Sequence, residues 1–214
     1  MRPNPVKLLS GTAVQVARDE NMLNKVIQDH DTFEQPDWLA GMTSSDQQIR
    51  SQAFEAFMNA WQKPIYFYMR KLLVNHHDAD DASQEVMIQV FQSIHTFQKK
   101  STFSTWLMTI AYRKAMDAMR KRKTHAWVSL ERSHQAALSH LNEDALFDAD
   151  DAESRLHAAI ATLPPRQRQV FVLRYFDELS FRKIAAITSK TEGALKASFH
   201  HASKKVRALL VLPF

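Results

Sequence analysis

The stretch TSKTEGALKASFHHASKK, residues 188–205, follows the apolar, basic run LSFRKIAAI (179–187) and carries Gly193 between two helix-like patterns. Ile184, Ala185 and Ile187 share one face of a short helix, and Leu195, Phe199, Ala202, Val206 and Leu209 share one face of the next. Two apolar stripes separated by about three or four turn residues make a helix-turn-helix pattern. The opposite side of the second helix presents Lys196, His200, Ser203 and Arg207, with Ala197, His201 and Lys204 beside them. Such a face is short, polar and cationic, as base edges and phosphates require. Ser180 is placed to cap the first helix, whose first turn holds Arg182 and Lys183 where the macrodipole prefers acids, so phosphate is a reasonable counterpart. A packed helical hairpin with a solvated basic face fits the same pattern, and periodicity leaves the two readings level.

The rest of the chain sets the context. Its 214 residues, 45% of them hydrophobic, suit one large domain or two small ones, and two is the expectation. Glycine occurs three times, proline seven, and alternating β-branched runs are scarce, so the predicted fold class is all-α. Cysteine is absent, which excludes disulfides and thiolate metal sites within the chain and fits a reducing compartment. No apolar run approaches the length of a membrane span and the first residues lack a continuous apolar segment, so the sequence reads as soluble and cytoplasmic.

The net charge of +5 is segregated. Residues 1–98 carry 8 basic and 12 acidic side chains, 99–123 carry 8 and 1, 124–153 carry 1 and 7, and 164–214 carry 10 and 3. Two basic blocks flanking an acidic connector suggest two places for a polyanion, although solvated helix faces produce charge runs too.

Along the chain, residues 1–36 offer one amphipathic stretch (Val16, Leu23, Val26, Ile27) and then DHDTFEQPDW (29–38), which reads as a connector; no role follows for this extension. From Ala53, Phe54, Phe57, Met58, Trp61, Ile65, Tyr68, Met69 and Leu72 keep helical spacing past Pro64, where a kink or turn is expected. A second helix after NHHDADD places Val86, Val90, Phe91 and Ile94 on one face, and a third runs from about Phe103 to Lys123 with Trp106, Leu107, Ile110, Ala111 and Met119 as its stripe. The acidic segment 129–153 reads as a flexible linker. ESRLHAAIATL, PPRQRQVFVLRYF with prolines suited to a helix start, and the helix pair above complete a second, smaller bundle.

The run LPPRQRQVFVLRYFDELSFRKIAAITSKTEGALKASFHHASKKVRALL resembles, from Leu163 to Leu209, region 4 of bacterial sigma factors of the extracytoplasmic-function (ECF) type. Residues 78–123 independently resemble region 2 of that family, with Gln84-Glu85-Val86, the Ser-x-Phe-x-Thr-Trp-Leu motif at 101–107 and the terminal basic run. Two matches in the right order favour the sigma reading over a conventional helix-turn-helix regulator acting as a homodimer, or an interaction module that no longer reads DNA. The resemblance implies a 1–36 extension, a region 2 domain over 37–123, a linker over 124–153 and a region 4 domain over 154–214.

It also implies site residues. Lys196, Ala197, His200 and His201 occupy base or near-base positions of the helix that reads the −35 element, with Arg182, Lys183, Lys190 and Lys204 as further DNA contacts. Ser198 and Ser203 stand where basic residues are usual, and Ser189 replaces the turn glycine. For the melted −10 strand the candidates are Phe97, Lys99, Lys100, Ser104, Thr105, Met108, Thr109, Arg113 and Arg120. A splayed base needs cations and a stacking surface, and the 98–105 loop is the expected place; Phe103 and Trp106 read rather as core. Arg113 stands where the family often has Asn, and Arg120 to Lys123 suit the helix dipole as well as duplex phosphates. Asp81, Gln84 and Glu85, at i, i+3 and i+4, form one polar patch, which in the family docks on the clamp helices of the largest polymerase subunit. Core RNA polymerase, promoter DNA and an anti-sigma protein are thus the implied partners. Adjacent His76 and His77 do not converge as metal ligands do, and with no phosphate-cradling glycine loop or nucleophile constellation, neither metal, cofactor nor enzyme activity is expected.

Overall fold

The computed structural model describes residues 22–29, 37–123 and 151–211. All regular structure among them is helical: α1 (Met22–Asp29), α2 (Asp37–Gly41), α3 (Gln47–Leu72), α4 (His76–Ser93), a 3-10 turn (Ile94–Thr96), α5 (Phe103–Lys123), α6 (Asp151–Ala161), α7 (Pro165–Tyr175), α8 (Phe181–Thr188) and α9 (Glu192–Val211). The expected linker lies outside the described residues except at its end, where α6 already begins at Asp151.

Caps set the helix starts. Asp46 accepts from the Gln48 and Ile49 amides (2.7 and 3.2 Å) at the head of α3, and Asn75 accepts from His77 and Asp78 (2.9 and 3.3 Å) at the head of α4. Ser180 caps α8 through the Lys183 amide at 3.2 Å. Pro64 makes no turn: α3 runs through it for 26 residues, with Pro64 itself buried. The missing N–H costs one helical hydrogen bond, and the burial of Trp61, Ile65, Tyr68 and Met69 around it offsets that loss at about 1.5–3 kcal/mol per large side chain.

The first module centres on Phe57, Trp61, Phe103, Leu107 and Met108, all fully buried. Phe103 meets Trp38, Phe57, Trp61 and Phe97 edge-on at 5.1–6.1 Å. Trp38, read from sequence as the end of a connector, therefore belongs to this aromatic cluster. The extension contributes as well, since α1 lays Leu23 and Ile27, both buried, against α3. Val86 and Val90 on α4 and Ile94 just after it face the core, but Phe91 does not: it is 52% exposed, a quarter turn away from that i, i+4, i+8 row.

The second module wraps α6, α7, α8 and α9 around Ile160, Val172, Leu173, Ile184, Leu195 and Ala202. The α8–α9 turn is three residues long, and Ser189 in it is left-handed (φ 55°, ψ 39°), its amide donating to the Ala185 carbonyl at 2.9 Å. Glycine avoids the Cβ clash of this conformation. Ser189→Gly is therefore expected to stabilise the chain by up to about 1 kcal/mol, a rise of about 2–4 °C in Tm readable by thermal unfolding.

The modules do not stand apart. Their buried side chains form one continuous core, with α7 against α3 and α5, and α8 against α5. Nothing in the sequence predicts this, because the contacts join residues about a hundred positions apart.

Candidate nucleic-acid interface

Helix α9 separates its two faces as the pattern requires. Leu195, Ala202, Val206 and Leu209 are buried and Phe199 half-buried, while Lys196, Ala197, His200, His201, Lys204 and Arg207 are exposed. Intramolecular contacts on the outer face are few: Lys196 lies 3.7 Å from Glu192, one turn back, and 5.9 Å from the Phe181 ring, and the rings of His200 and His201 meet edge to face. Ser203 donates to the Phe199 carbonyl at 2.8 Å, so its hydroxyl is turned into its own helix. Gly193 lies inside α9 rather than in the turn, and a Cβ there would meet nothing within 4 Å. Arg182 and Lys190 are exposed near the head of the pair.

Lys183 is placed differently. Its Nζ lies 3.4 Å from both Thr102 Oγ1 and Ser104 Oγ, at the head of α5 in the other module. A candidate for the −35 duplex is thus seated on the loop expected to take the −10 strand.

That loop is cationic and constrained. Lys99 and Lys100 are exposed, and Lys99 is left-handed (φ 56°). Phe97 is half-buried, 5.8 Å from Phe103 and 5.5 Å from Trp106. The Thr102 hydroxyl bonds Ser104 Oγ (3.0 Å) and Thr105 Oγ1 (2.9 Å). Of the remaining candidates, Arg113 and Arg120 are exposed, Thr109 is half-buried with its hydroxyl on the Thr105 carbonyl (2.9 Å), and Ser104, Thr105 and Met108 are buried. Met108 is part of the apolar core, so in this arrangement it offers no surface to a strand. Phe103 is core too and Trp106 is half-buried.

On α4, Asp81, Gln84 and Glu85 are exposed together. Glu85 is bridged from α5 by Lys114 (3.3 Å) and Lys121 (3.9 Å). Two exposed apolar residues extend this patch, Ile88 (55% exposed), which the sequence reading missed, and Phe91, which it placed on the core face; they follow Gln84 at i+4 and i+7 on the same face. A helical wheel centred on Gln84 would have found them. Among the described residues, no group of three or more His, Cys, Asp or Glu is placed to hold a metal, and no helix is long and apolar enough to cross a membrane.

Between the modules lies a polar seam. Lys71 Nζ meets Asp177 Oδ1 at 2.7 Å with both side chains buried, and it also lies 5.4 Å from the Phe176 ring. Gln169 accepts from the Tyr68 hydroxyl and donates to the Tyr112 carbonyl at 2.9 Å, while Arg168 donates to the Leu72 carbonyl at 2.9 Å. Burial, then the Asp177 charge, push the Tyr68 phenol well above its usual value of 10.0, which keeps it a donor.

A helix-turn-helix with an open cationic second helix, packed against a helical module that carries a basic loop of its own, is the architecture of a DNA-binding protein. Residues 55–125 match the family model of Sigma-70 region 2, and residues 153–206 match that of Sigma-70, region 4. The ECF RNA polymerase sigma factor SigW of Bacillus subtilis is 30% identical over 167 residues, which cover 74% of this chain and 89% of SigW. The ECF sigma factor RpoE of Cereibacter sphaeroides is 25% identical over 178 residues, 83% of this chain and 97% of RpoE. The fold is that of the sigma factor RpoE solved with the anti-sigma factor NepR from Bartonella quintana, with a TM-score of 0.56 at 20% identity, covering 76% of this chain and 99% of that one. The chain belongs to the sigma-70 family and is an RNA polymerase sigma factor of the ECF type, a transcription initiation factor rather than an enzyme.

Proposed function

We propose that this sigma factor works in the cytoplasm through three surfaces. The α4 face of Asp81, Gln84 and Glu85, extended by Ile88 and Phe91, docks on the clamp helices of the largest subunit of core RNA polymerase. The loop and helix bearing Phe97, Lys99, Lys100, Ser104, Thr105, Thr109, Arg113 and Arg120 hold the melted −10 strand. The outer face of α9, with Arg182, Lys183 and Lys190, reads the −35 duplex. The domain limits follow as 37–123 and 154–214, joined by the acidic segment between them. An anti-sigma protein is the regulatory partner this reading carries over from its relatives.

The observation that carries the assignment of α9 is the division of its faces, apolar residues inward and Lys196, Ala197, His200, His201 and Lys204 outward with few contacts inside the chain. Promoter-dependent transcription with sigma-free core polymerase tests the whole reading: transcript starts that share two spaced upstream elements support it, and an absence of defined starts sinks it. Lys196→Ala or His201→Ala is then expected to cost about 1–3 kcal/mol, roughly 5- to 150-fold, on the cognate −35 element and to leave polymerase binding unchanged. Equal losses on every sequence would make these residues phosphate contacts instead.

A further inference from the structure

We propose that the outer face of α9 takes up protons when it takes up DNA: His200 and His201 meet the duplex as imidazolium, so promoter affinity rises as pH falls. The proposal deepens the assignment of this face to the −35 duplex and rests on it.

The cations of the face are of two kinds. Lys196 and Lys204 flank His200 at i−4 and i+4, and Lys205 follows His201 at i+4, all of them exposed. Lysine keeps its charge throughout the physiological range, whereas histidine is the side chain whose charge changes within it. The two imidazoles sit between the lysines, so they decide whether the middle of the face is charged. Among the described residues their contact is with each other, ring centroids 5.9 Å apart and nearly edge to face.

The acids of the module are engaged elsewhere or lie off this face. Residues 193–214 contain none, and Glu192, two turns before His200, lies 3.7 Å from Lys196. Of the helices packed on α9, α8 brings Arg182 and Lys183 and no acid, and α7 brings Arg166, Arg168 and Arg174 and no acid. Arg174 lies over the Phe181 ring at 5.3 Å, beside Lys196 at 5.9 Å. The loop after α7 holds Asp177, buried against Lys71, and the exposed Glu178, while Lys190 is exposed in the α8–α9 turn. Helix α6, whose sequence carries Asp151, Glu153, Arg155 and His157, meets α9 through the apolar core.

What DNA adds to this face is therefore the negative charge that it lacks. A phosphate within hydrogen-bond reach favours the charged form of an imidazole. The charged ring also donates from both nitrogens, which suits phosphate oxygens and the O6 and N7 acceptors of guanine, whereas the neutral ring donates from one. Binding that favours the protonated form takes up protons, and by reciprocity protons favour binding. The sign follows: affinity is greatest at low pH and declines as pH rises. Each proton taken up changes affinity by up to about tenfold per pH unit.

The test uses holoenzyme assembled from core polymerase and the full chain. Fluorescence anisotropy measures its affinity for a labelled duplex promoter recovered by the transcription experiment above, and for the same duplex with its −35 element scrambled. The ratio of the two affinities cancels pH effects on polymerase and on the other surfaces. Across the range in which histidine titrates, from about pH 8 to about pH 6, that ratio is expected to rise at least about tenfold. The salt dependence of binding should steepen over the same interval by up to about 0.9 per histidine. His200→Gln/His201→Gln should flatten the pH dependence and weaken binding most at the acid end. His200→Arg/His201→Arg should give a ratio independent of pH, and both variants should keep the native circular dichroism. A native ratio that ignores pH, or a pH dependence that survives in the glutamine variant, would overturn proton uptake and leave the −35 assignment standing. Glutamine and Lys196→Ala variants that both match the native chain at every pH would overturn the −35 assignment itself, and the proposal with it.

Discussion

Exchange of Asp81 and Glu85 for lysine together is expected to abolish binding to core polymerase while leaving the helical fold intact. Both carboxylates are exposed on one face of α4, with Gln84 between them and Ile88 and Phe91 extending the patch. Close charge pairs at an interface couple by about 1.5–7 kcal/mol, and like charges facing each other add repulsion, so two reversals should weaken association by at least about 100- to 1,000-fold. Little stability is at stake. The Lys114 and Lys121 bridges to Glu85 are exposed, and such pairs contribute at most about 1 kcal/mol. Co-elution with core polymerase, alongside circular dichroism, checks both halves of the expectation. Native affinity in the double variant would move the docking surface elsewhere.

Lys71→Met should have the largest effect on stability. It leaves Asp177, whose side chain is wholly buried, facing a thioether in place of an ammonium 2.7 Å away. Breaking one side of a buried pair costs about 3–5 kcal/mol, which for a chain of this size lowers Tm by roughly 10 °C. The companion variant Lys71→Met/Asp177→Leu removes the stranded charge and should recover most of the loss. Equal destabilisation in the single and double variants, measured by urea titration, would show that shape rather than charge holds the seam. Tyr68 adds a pH dependence in the same place. Its phenol is raised in the folded state, so the stability it contributes is fully present below its unfolded value of 10.0 and is lost as pH climbs through the folded one.

Local features were legible in the sequence to the residue. The third helix of the first module spans Phe103–Lys123 as its apolar stripe and basic terminus imply, the α8–α9 turn has the expected length, and Ser180 caps as its position suggests. Phe91 was misread because a helix with apolar residues at 86, 87, 88, 90 and 91, followed by Ile94, admits two stripes, and only packing against α3 and α5 chooses between them. Trp38 was assigned to a connector because Pro36 and its polar neighbours dominate the local composition, whereas its partners Phe57 and Phe103 lie far along the chain. The seam was invisible for the same reason. Lys71 reads locally as a cation suited to the end of α3, and Asp177 as a turn residue; neither neighbourhood names the other. Composition and periodicity report on an element's own environment, so a polar contact across a hundred residues leaves no trace in either.

The division of faces on α9 bears on how such a protein changes over generations. The residues that hold the helix in place, Leu195, Ala202, Val206 and Leu209, are not those that look outward, and the outward ones make few bonds inside the chain. Substitution at 196, 197, 200, 201 or 204 therefore carries almost no folding penalty. On the proposed assignment of this face to the −35 duplex, target preference can drift, or be rewritten by design, without a compensating repair elsewhere, so copies of one scaffold can come to command different sets of genes.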